Sequence, residues 1–101
     1  MSEVIVLTMV PDRETALKIA RNLVECKLAA CVNIVDKVTS VYEWKGEICE
    51  EGELLLIIKS VAANFTWIKD RILELHPYEL PEVIMFNIDA GLEEYLAWIR
   101  R

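Results

Sequence analysis

Residues 38–59, VTSVYEWKGEICEEGELLLIIK, decide the fold of this chain. The first part alternates between two strand faces and places these residues on one of them: Val38, Ser40, Tyr42 and Trp44. Lys45-Gly46-Glu47 follows as a turn, because glycine readily takes the positive φ that hairpin turns need. The return strand is predicted from Glu53 to Lys59. Arms of this length predict a β-hairpin that projects beyond the rest of the fold.

Upstream of the hairpin, the pattern predicts a strand, a helix and the start of a second strand. Val4–Val10 is almost wholly apolar, as in a central strand that is buried on both faces. Asp12 is a favourable N-cap for a helix that ends near Lys27. The second strand begins around Ala29–Ile34, and a bulge is expected near Asp36-Lys37.

Downstream, apolar residues recur at helical spacing: Val61, Phe65, Ile68, Ile72 and Leu75. This helix should end at His76-Pro77, because a residue before proline is disfavoured in the α region. A fourth strand is expected at Val83–Ile88 and a short helix at residues 92–99. The resulting order, β-α-β-β-α-β plus a terminal helix, predicts an α+β, ferredoxin-like split βαβ fold.

The length of 101 residues predicts a single domain over residues 1–101. In a split βαβ fold both main helices cover the same face of the sheet. Val4–Val10 and Leu54–Ile58 are nevertheless apolar on both faces, so the second face must also leave water. Each buried Leu or Ile contributes roughly 1.5–3 kcal/mol, so we expect the chain to self-associate through this face.

The net charge of −6 disfavours nucleic-acid and anionic-membrane partners, because an acidic surface repels phosphate groups. Cations suit it better. The acidic start Met1-Ser2-Glu3 lacks a signal-peptide pattern, and we expect a cytoplasmic protein. Cys26, Cys31 and Cys49 are odd in number and lack CxxC spacing, which favours buried free thiols over disulfides or structural zinc.

Four blocks in order resemble the CutA divalent-cation tolerance family: Ala30-Cys31-Val32-Asn33, Tyr42-Glu43-Trp44-Lys45-Gly46, Glu53 with Lys59, and His76-Pro77-Tyr78-Glu79-Leu80-Pro81-Glu82. The resemblance extends from the first strand to Tyr95-Leu96-Ala97-Trp98. It implies a homotrimer whose sheets line the interior and whose hairpin reaches a neighbouring subunit. It also implies a role in tolerance of divalent cations, copper especially. No tightly bound cofactor is expected.

The resemblance further implies two sets of site residues. Copper ligands in the family are expected at positions that hold Thr8 and Leu75-His76 here, so His76 alone is kept. The expected metal ligands are therefore His76, Glu79 and Cys31, with Glu82 as a further carboxylate. The expected subunit-interface cleft comprises Asn33, Tyr42, Trp44, Glu53, Lys59, His76, Tyr78 and Pro81.

Each of these sites has a structural alternative. His76 could instead cap the end of its helix, where a cation is favoured. Cys31 and Asn33 could fill core space. Tyr42 and Trp44 could form an aromatic ligand pocket, but they are also typical anchors of a subunit interface. The acidic run of Glu47, Glu50, Glu51 and Glu53 is typical of a solvated hairpin edge that discourages edge-to-edge pairing.

No catalytic motif was found in the sequence, so an enzyme is not expected. Two alternatives to metal tolerance remain open. One is a trimeric small-molecule sensor of the PII type, which has the same subunit topology. The other is a structural scaffold trimer that binds a partner protein.

Overall fold

The computed structural model describes residues 2–101. Within them the elements are β1 (Glu3–Val10), α1 (Arg13–Glu25), β2 (Cys31–Trp44), β3 (Glu47–Val61), α2 (Phe65–Leu75), β4 (Ile84–Asn87) and α3 (Glu93–Arg100). A 3-10 turn at Ala62–Asn64 precedes α2. The predicted α+β class and element order are confirmed.

The four strands form one antiparallel sheet in the order β2-β3-β1-β4. β1 ends where Val10 lies opposite Leu54, so residues 47–53 of β3 pair with β2 alone. This part of the hairpin is a two-stranded ribbon that extends beyond the sheet, and the molecule measures 44 Å along its longest axis. The ribbon, as predicted, carries Tyr42 and Trp44.

The hydrophobic core lies on one face of the sheet. Val4, Val6 and Val10 of β1 pack there with residues of both long helices, including Ile19 of α1 and Ile72 of α2. α1 presents this face because Ala16, Ile19, Ala20 and Leu23 recur at helical spacing. The Asp12 carboxylate accepts the Thr15 N–H at 2.8 Å, which confirms the predicted N-cap.

A β-bulge between Val35 and Val38 changes which residues of β2 face the core. Before the bulge Cys31 and Asn33 lie on the sheet face away from the helices. After the bulge the even-numbered residues from Val38 onward lie on that face. Lys37 adopts φ 63° within the bulge. The predicted irregularity near Asp36-Lys37 is confirmed, and it turns Tyr42 and Trp44 to the same side of the sheet as Cys31.

Several predicted boundaries were wrong. β3 begins at Glu47 instead of Glu53, because pairing with β2 holds this charged segment extended. The segment has no apolar pattern from which a strand could be predicted. α2 begins at Phe65, since Val61 still pairs with Glu3 in the sheet. The end of α1 at Glu25, in contrast, agrees with the predicted end near Lys27, which adopts φ 60°. β2 begins at Cys31, and β4 is confined to Ile84–Asn87.

The sheet face opposite the helices, here called the open face, is only partly covered within the chain. Strand register places these apolar side chains on it: Ile5, Leu7, Leu55, Ile57, Ile84 and Phe86. Half of the Phe86 side chain (51%) is exposed, whereas Ile5, Leu7 and Ile57 are half-buried. α3 packs over one end, where Arg100 binds Glu3 at 2.8 Å. β1 is therefore fully buried on its helix side. On the open face its only buried residue is Glu3, under α3, and the prediction that its apolar residues are buried on both faces does not hold within one chain.

Candidate functional site

The ribbon and the loop after α2 enclose a groove of about 620 Å³, here called the hairpin groove. It is lined by Met9, Ser40, Val41, Tyr42, Trp44, Glu51, Glu53, Tyr78, Glu79, Leu80 and Glu82. The lining therefore combines three aromatic rings with four carboxylates. None of these lining residues is basic, so the groove is locally acidic.

Two tyrosine–glutamate hydrogen bonds organise the inner part of the groove. The Tyr42 hydroxyl donates to Glu51 at 3.0 Å, and the Tyr78 hydroxyl donates to Glu53 at 2.7 Å. Tyr42 reaches Glu51 diagonally across the ribbon, because Ser40 is the residue directly opposite Glu51. Glu53 is only 8% exposed, so the solvated edge that the sequence predicted does not extend to it.

The pKa values of both tyrosine hydroxyls are raised by their surroundings. The hydrogen bond to Glu51, followed by burial, raises the pKa of Tyr42 to about 12. Burial, followed by the hydrogen bond to Glu53, raises the pKa of Tyr78 well above its usual range. Tyrosinate is disfavoured in each case because a second negative charge would lie beside a carboxylate. The hydroxyls are therefore protonated and act as donors to the glutamate oxygens.

His76 lies directly behind the groove and is buried. Its Nδ1 accepts the Tyr78 N–H at 3.2 Å, so its Nε2 carries the proton and donates to the Met9 carbonyl at 2.6 Å. The imidazole ring packs against the Tyr78 ring with centroids 4.6 Å apart. His76 ends α2 through its extended backbone before Pro77, and its ring ties the loop to β1 instead of capping the helix.

Comparison with known proteins assigns the chain to a family. The family model described as CutA1 divalent ion tolerance protein matches residues 4–101. The chain belongs to the CutA1 family. The predicted resemblance is thereby confirmed over nearly the whole sequence.

Similar proteins support the assignment in sequence and in structure. The divalent-cation tolerance protein CutA of Thermus thermophilus is 49% identical over 100 residues, which cover 99% of this chain and 96% of that protein. A solved structure of a Thermus thermophilus divalent cation tolerance protein gives a TM-score of 0.95 over 97% of this chain and 95% of that one. Human Protein CutA is 43% identical, but the matched region spans 90% of this chain and only 51% of that protein.

Relatives within the CutA1 family are named from different compartments. One from Arabidopsis thaliana is named chloroplastic, and one from Archaeoglobus fulgidus is named periplasmic. None of the helices in residues 2–101 is long and apolar enough to cross a membrane. The cytoplasmic location stays a prediction.

The predicted cleft residues separate into two places. Tyr42, Trp44, Glu53 and Tyr78 meet in the hairpin groove with His76 behind them. Asn33 and Lys59 lie on the open face away from the groove, where the Lys59 ammonium donates to the Asn33 side chain. Pro81 is half-buried between two lining residues, Leu80 and Glu82, and does not line the groove itself.

The predicted metal ligands do not meet within one chain. Cys31 lies opposite Lys59, which pairs with Ile5, whereas His76 binds the carbonyl of Met9, four residues further along β1. Four residues of a strand span about 13 Å. Glu79 is exposed at the mouth of the groove and pairs with Lys45 at 3.8 Å. Among residues 2–101 no three His, Cys, Asp or Glu side chains are grouped closely enough to hold a metal ion.

The cysteines are unpaired, but the prediction that they are buried was wrong. Cys26 is exposed, and Cys31 and Cys49 are half-buried. Cys31 faces the open face, where its thiol lies 3.9 Å from the Asn33 side-chain oxygen. Cys31 therefore lies on the open face of the sheet and not in the core beneath the helices.

Sequence reasoning missed five groove residues: Met9, Ser40, Val41, Glu51 and Leu80. The position of Glu51 could have been predicted from the turn. If Trp44 pairs with Glu47 on either side of Lys45-Gly46, counting residue by residue away from the turn pairs Ser40 with Glu51. That count places Glu51 and Glu53 on the aromatic side of the ribbon. The approach of Tyr78 to the ribbon, in contrast, is a tertiary contact, and no pattern in the sequence around Tyr78 predicts it.

Proposed function

We propose that this chain acts in the cytoplasm as a homotrimer of ferredoxin-like subunits and supports tolerance of divalent cations, copper especially, through weak metal binding. The family assignment supports the general role in tolerance of divalent cations. The trimer, the metal binding and the cytoplasmic location are what we propose beyond it. No catalytic step is included in the proposal. The observation that carries it is the acidic hairpin groove, with four carboxylates and a histidine behind them.

The assembly part of the proposal is supported by the open face. On the two central strands, Ile5, Leu7, Leu55 and Ile57 are only half-buried in the chain. On the edge strand β4, Ile84 and Phe86 are exposed. A face of this kind on a soluble domain is stabilised by contact with another apolar surface. The ribbon extends beyond the sheet and offers Tyr42 and Trp44, which are 39% and 36% exposed, to a neighbouring subunit.

The metal part is supported by the donors at the mouth of the groove. Glu79 and Glu82 are exposed carboxylates that can bind an ion without reorganising the core. The Nδ1 atom of His76 would join them only by giving up its 3.2 Å hydrogen bond from the Tyr78 N–H. Losing this hydrogen bond lowers the affinity of the site for a metal ion. We therefore expect weak binding, and tighter binding for ions that prefer imidazole ligands.

Cys31 contributes to metal binding in this proposal only through a second subunit. Its thiol lies on the open face, which is the surface that assembly would cover. A neighbouring ribbon that crosses this face would bring carboxylates to the thiol. Soft ions such as Cu(I) would then find a thiolate ligand at the subunit boundary.

The proposal is tested by calorimetric titration of the native protein with Cu(II) in the presence of a weak competing chelator. Zn(II) serves as the redox-silent comparison, because copper can oxidise the thiols. We expect saturable binding that is lost in His76→Ala and weakened in Glu79→Gln. Since His76 also holds the loop, Glu79→Gln is the cleaner variant, and Glu94→Gln in α3 is its charge-matched control. Failure of the wild type to compete with the chelator would contradict the metal role.

A further inference from the structure

The C-terminal helix α3 is attached to the sheet by few apolar contacts. Within Glu93–Arg100, Ile99 is buried and Leu96 is half-buried. Tyr95 and Trp98 stack on each other with ring centroids 5.6 Å apart, and 42% and 37% of their surfaces stay exposed. A helix of eight residues is not stable in water by itself, so contact with β1 and β3 holds α3 in its folded form.

The segment before α3 places little restraint on the helix. The Ile88 N–H donates to the Glu3 carbonyl at 3.0 Å and fixes the chain to β1 at that point. Residues 89–92, which follow, are exposed and have no regular secondary structure. Within residues 2–101 no side chain caps the N-terminus of α3 at Leu92. The helix can therefore leave the sheet without disturbing β4.

An ion pair between residues near the two ends of the chain joins α3 to the sheet. One nitrogen of the Arg100 guanidinium, Nη1, donates to the Glu3 carboxylate at 2.8 Å, and the other, Nη2, donates to Glu93 at 2.9 Å. Arg100 therefore links β1 with both the first and the last turn of α3. Glu3 is 7% exposed, and a carboxylate removed from water is costly unless a cation compensates its charge. Arg100 supplies that cation.

We propose that α3 opens as a unit while the core stays folded, and that the Glu3–Arg100 ion pair controls this opening. Opening of α3 gives up the contacts of Ile99 and Leu96, whereas unfolding of the core gives up every contact between the sheet and the two long helices. Segments that are held by few buried contacts open at a much lower free energy than the whole molecule. The opening also returns Glu3 to water, which offsets part of the loss of the ion pair.

The opening changes which part of the open face is covered. Glu3 and Ile5 are alternate residues of β1 and lie on this face, with α3 over the Glu3 end. Without α3, an unpaired carboxylate would lie beside the apolar side chains that a second subunit is proposed to cover. Burying it there is unfavourable, so assembly should favour the closed helix and the closed helix should favour assembly. This coupling rests on the proposed homotrimer, but the opening itself does not.

Hydrogen exchange of the native full chain, followed by mass spectrometry, tests the proposal. In the wild type we expect the amides of residues 96–100 to exchange at least about tenfold faster than those of Val4–Val10, because they exchange through the local opening. Arg100→Met leaves Glu3 without its cation and should speed exchange in α3 by about a further tenfold or more. Exchange in Val4–Val10 and in α1 should stay unchanged.

Arg101→Met is the matched control, because Arg101 is adjacent, carries the same charge and lies over the Trp98 ring at 4.6 Å instead of binding Glu3. It should leave the exchange of α3 nearly unchanged. The double variant Glu3→Leu with Arg100→Met removes both charges, so it should exchange more slowly in α3 than Arg100→Met alone.

Four results would overturn the proposal. The first is exchange of residues 96–100 that is as slow as that of Val4–Val10 in the wild type. The second is acceleration by Arg100→Met that is equal in α3 and in β1, since this would be a general loss of stability. The third is an equal effect of Arg101→Met, and the fourth is no recovery in the double variant. The molar mass in solution is measured separately, so the assembly and the opening can each fail alone.

Discussion

At the scale of single residues, Thr8 has the least expected surroundings in the core. Its side chain is fully buried on the helix side of β1, and its Oγ1 has no hydrogen-bond partner among residues 2–101. An unsatisfied buried hydroxyl costs about 1–3 kcal/mol of folding free energy. Valine has nearly the same shape and no polar atom.

Thr8→Val should therefore raise the free energy of unfolding by about 1 kcal/mol. Urea unfolding at fixed protein concentration measures the change, since association would make stability depend on concentration. Thr39→Val in the exposed ribbon is the control and should have a much smaller effect. A loss of stability in Thr8→Val would show that the hydroxyl is satisfied, for example by a buried water.

His76 shows at the same scale why the sequence alone left the site open. Its position before Pro77 predicted the end of the helix correctly, because that effect is local. The ring nitrogens, however, bind the Met9 carbonyl, 67 residues away in sequence, and the Tyr78 N–H. The first partner is fixed only by tertiary packing, so the sequence predicted a functional histidine without predicting what it contacts.

At the scale of elements, the turn of the hairpin sets the register of the ribbon and hence of the groove. Lys45 and Gly46 adopt φ 52° and 83°, as the two central residues of a type I′ turn require. A Cβ on Gly46 would meet no atom within 4 Å, so any cost of a side chain there is conformational. Gly52, further along β3, has equal space and no positive φ.

Gly46→Ala should lower the free energy of unfolding by about 1–2 kcal/mol, because an L-residue resists the left-handed region. Gly52→Ala should be neutral or slightly stabilising, since alanine restricts the unfolded chain without strain in the fold. Thermal or urea unfolding of both variants measures the difference. Equal effects of the two substitutions would contradict the assigned role of the turn.

The elements also show how far periodicity predicts this fold. The N-cap at Asp12 and the apolar stripe of α1 are local signals. The cap was confirmed, and so was the stripe except at Val24, which was predicted to be buried but is 42% exposed. The first half of β3 was missed, because Glu47–Gly52 lacks an apolar pattern and is held extended by pairing with β2. The groove was only partly predicted, since its aromatic side follows from alternation but its other wall comes from the loop after α2.

At the scale of the whole molecule, the open face is the feature that a single chain leaves unexplained. Ile57 lies near its centre, opposite Leu7 on one side and Asn33 on the other. A charge placed there would remain partly hydrated in a monomer but would be buried without a partner in a trimer. Ile57→Glu should therefore dissociate the assembly and leave the core between sheet and helices folded.

Leu17→Glu is the control for this variant, because Leu17 lies on α1 and is 38% exposed. It adds the same charge on the helix side of the molecule and should leave the assembly intact. Circular dichroism of both variants checks that each remains folded. Dissociation by both substitutions would show a general effect of charge and not a specific surface.

The molar mass of the native protein in solution, measured by light scattering over a range of concentrations, tests the central claim most directly. The account predicts three times the mass of one chain for the wild type and Leu17→Glu, and a lower mass for Ile57→Glu. A wild-type mass of one chain at every concentration would contradict it, because the open face would then be stable in water without a partner subunit.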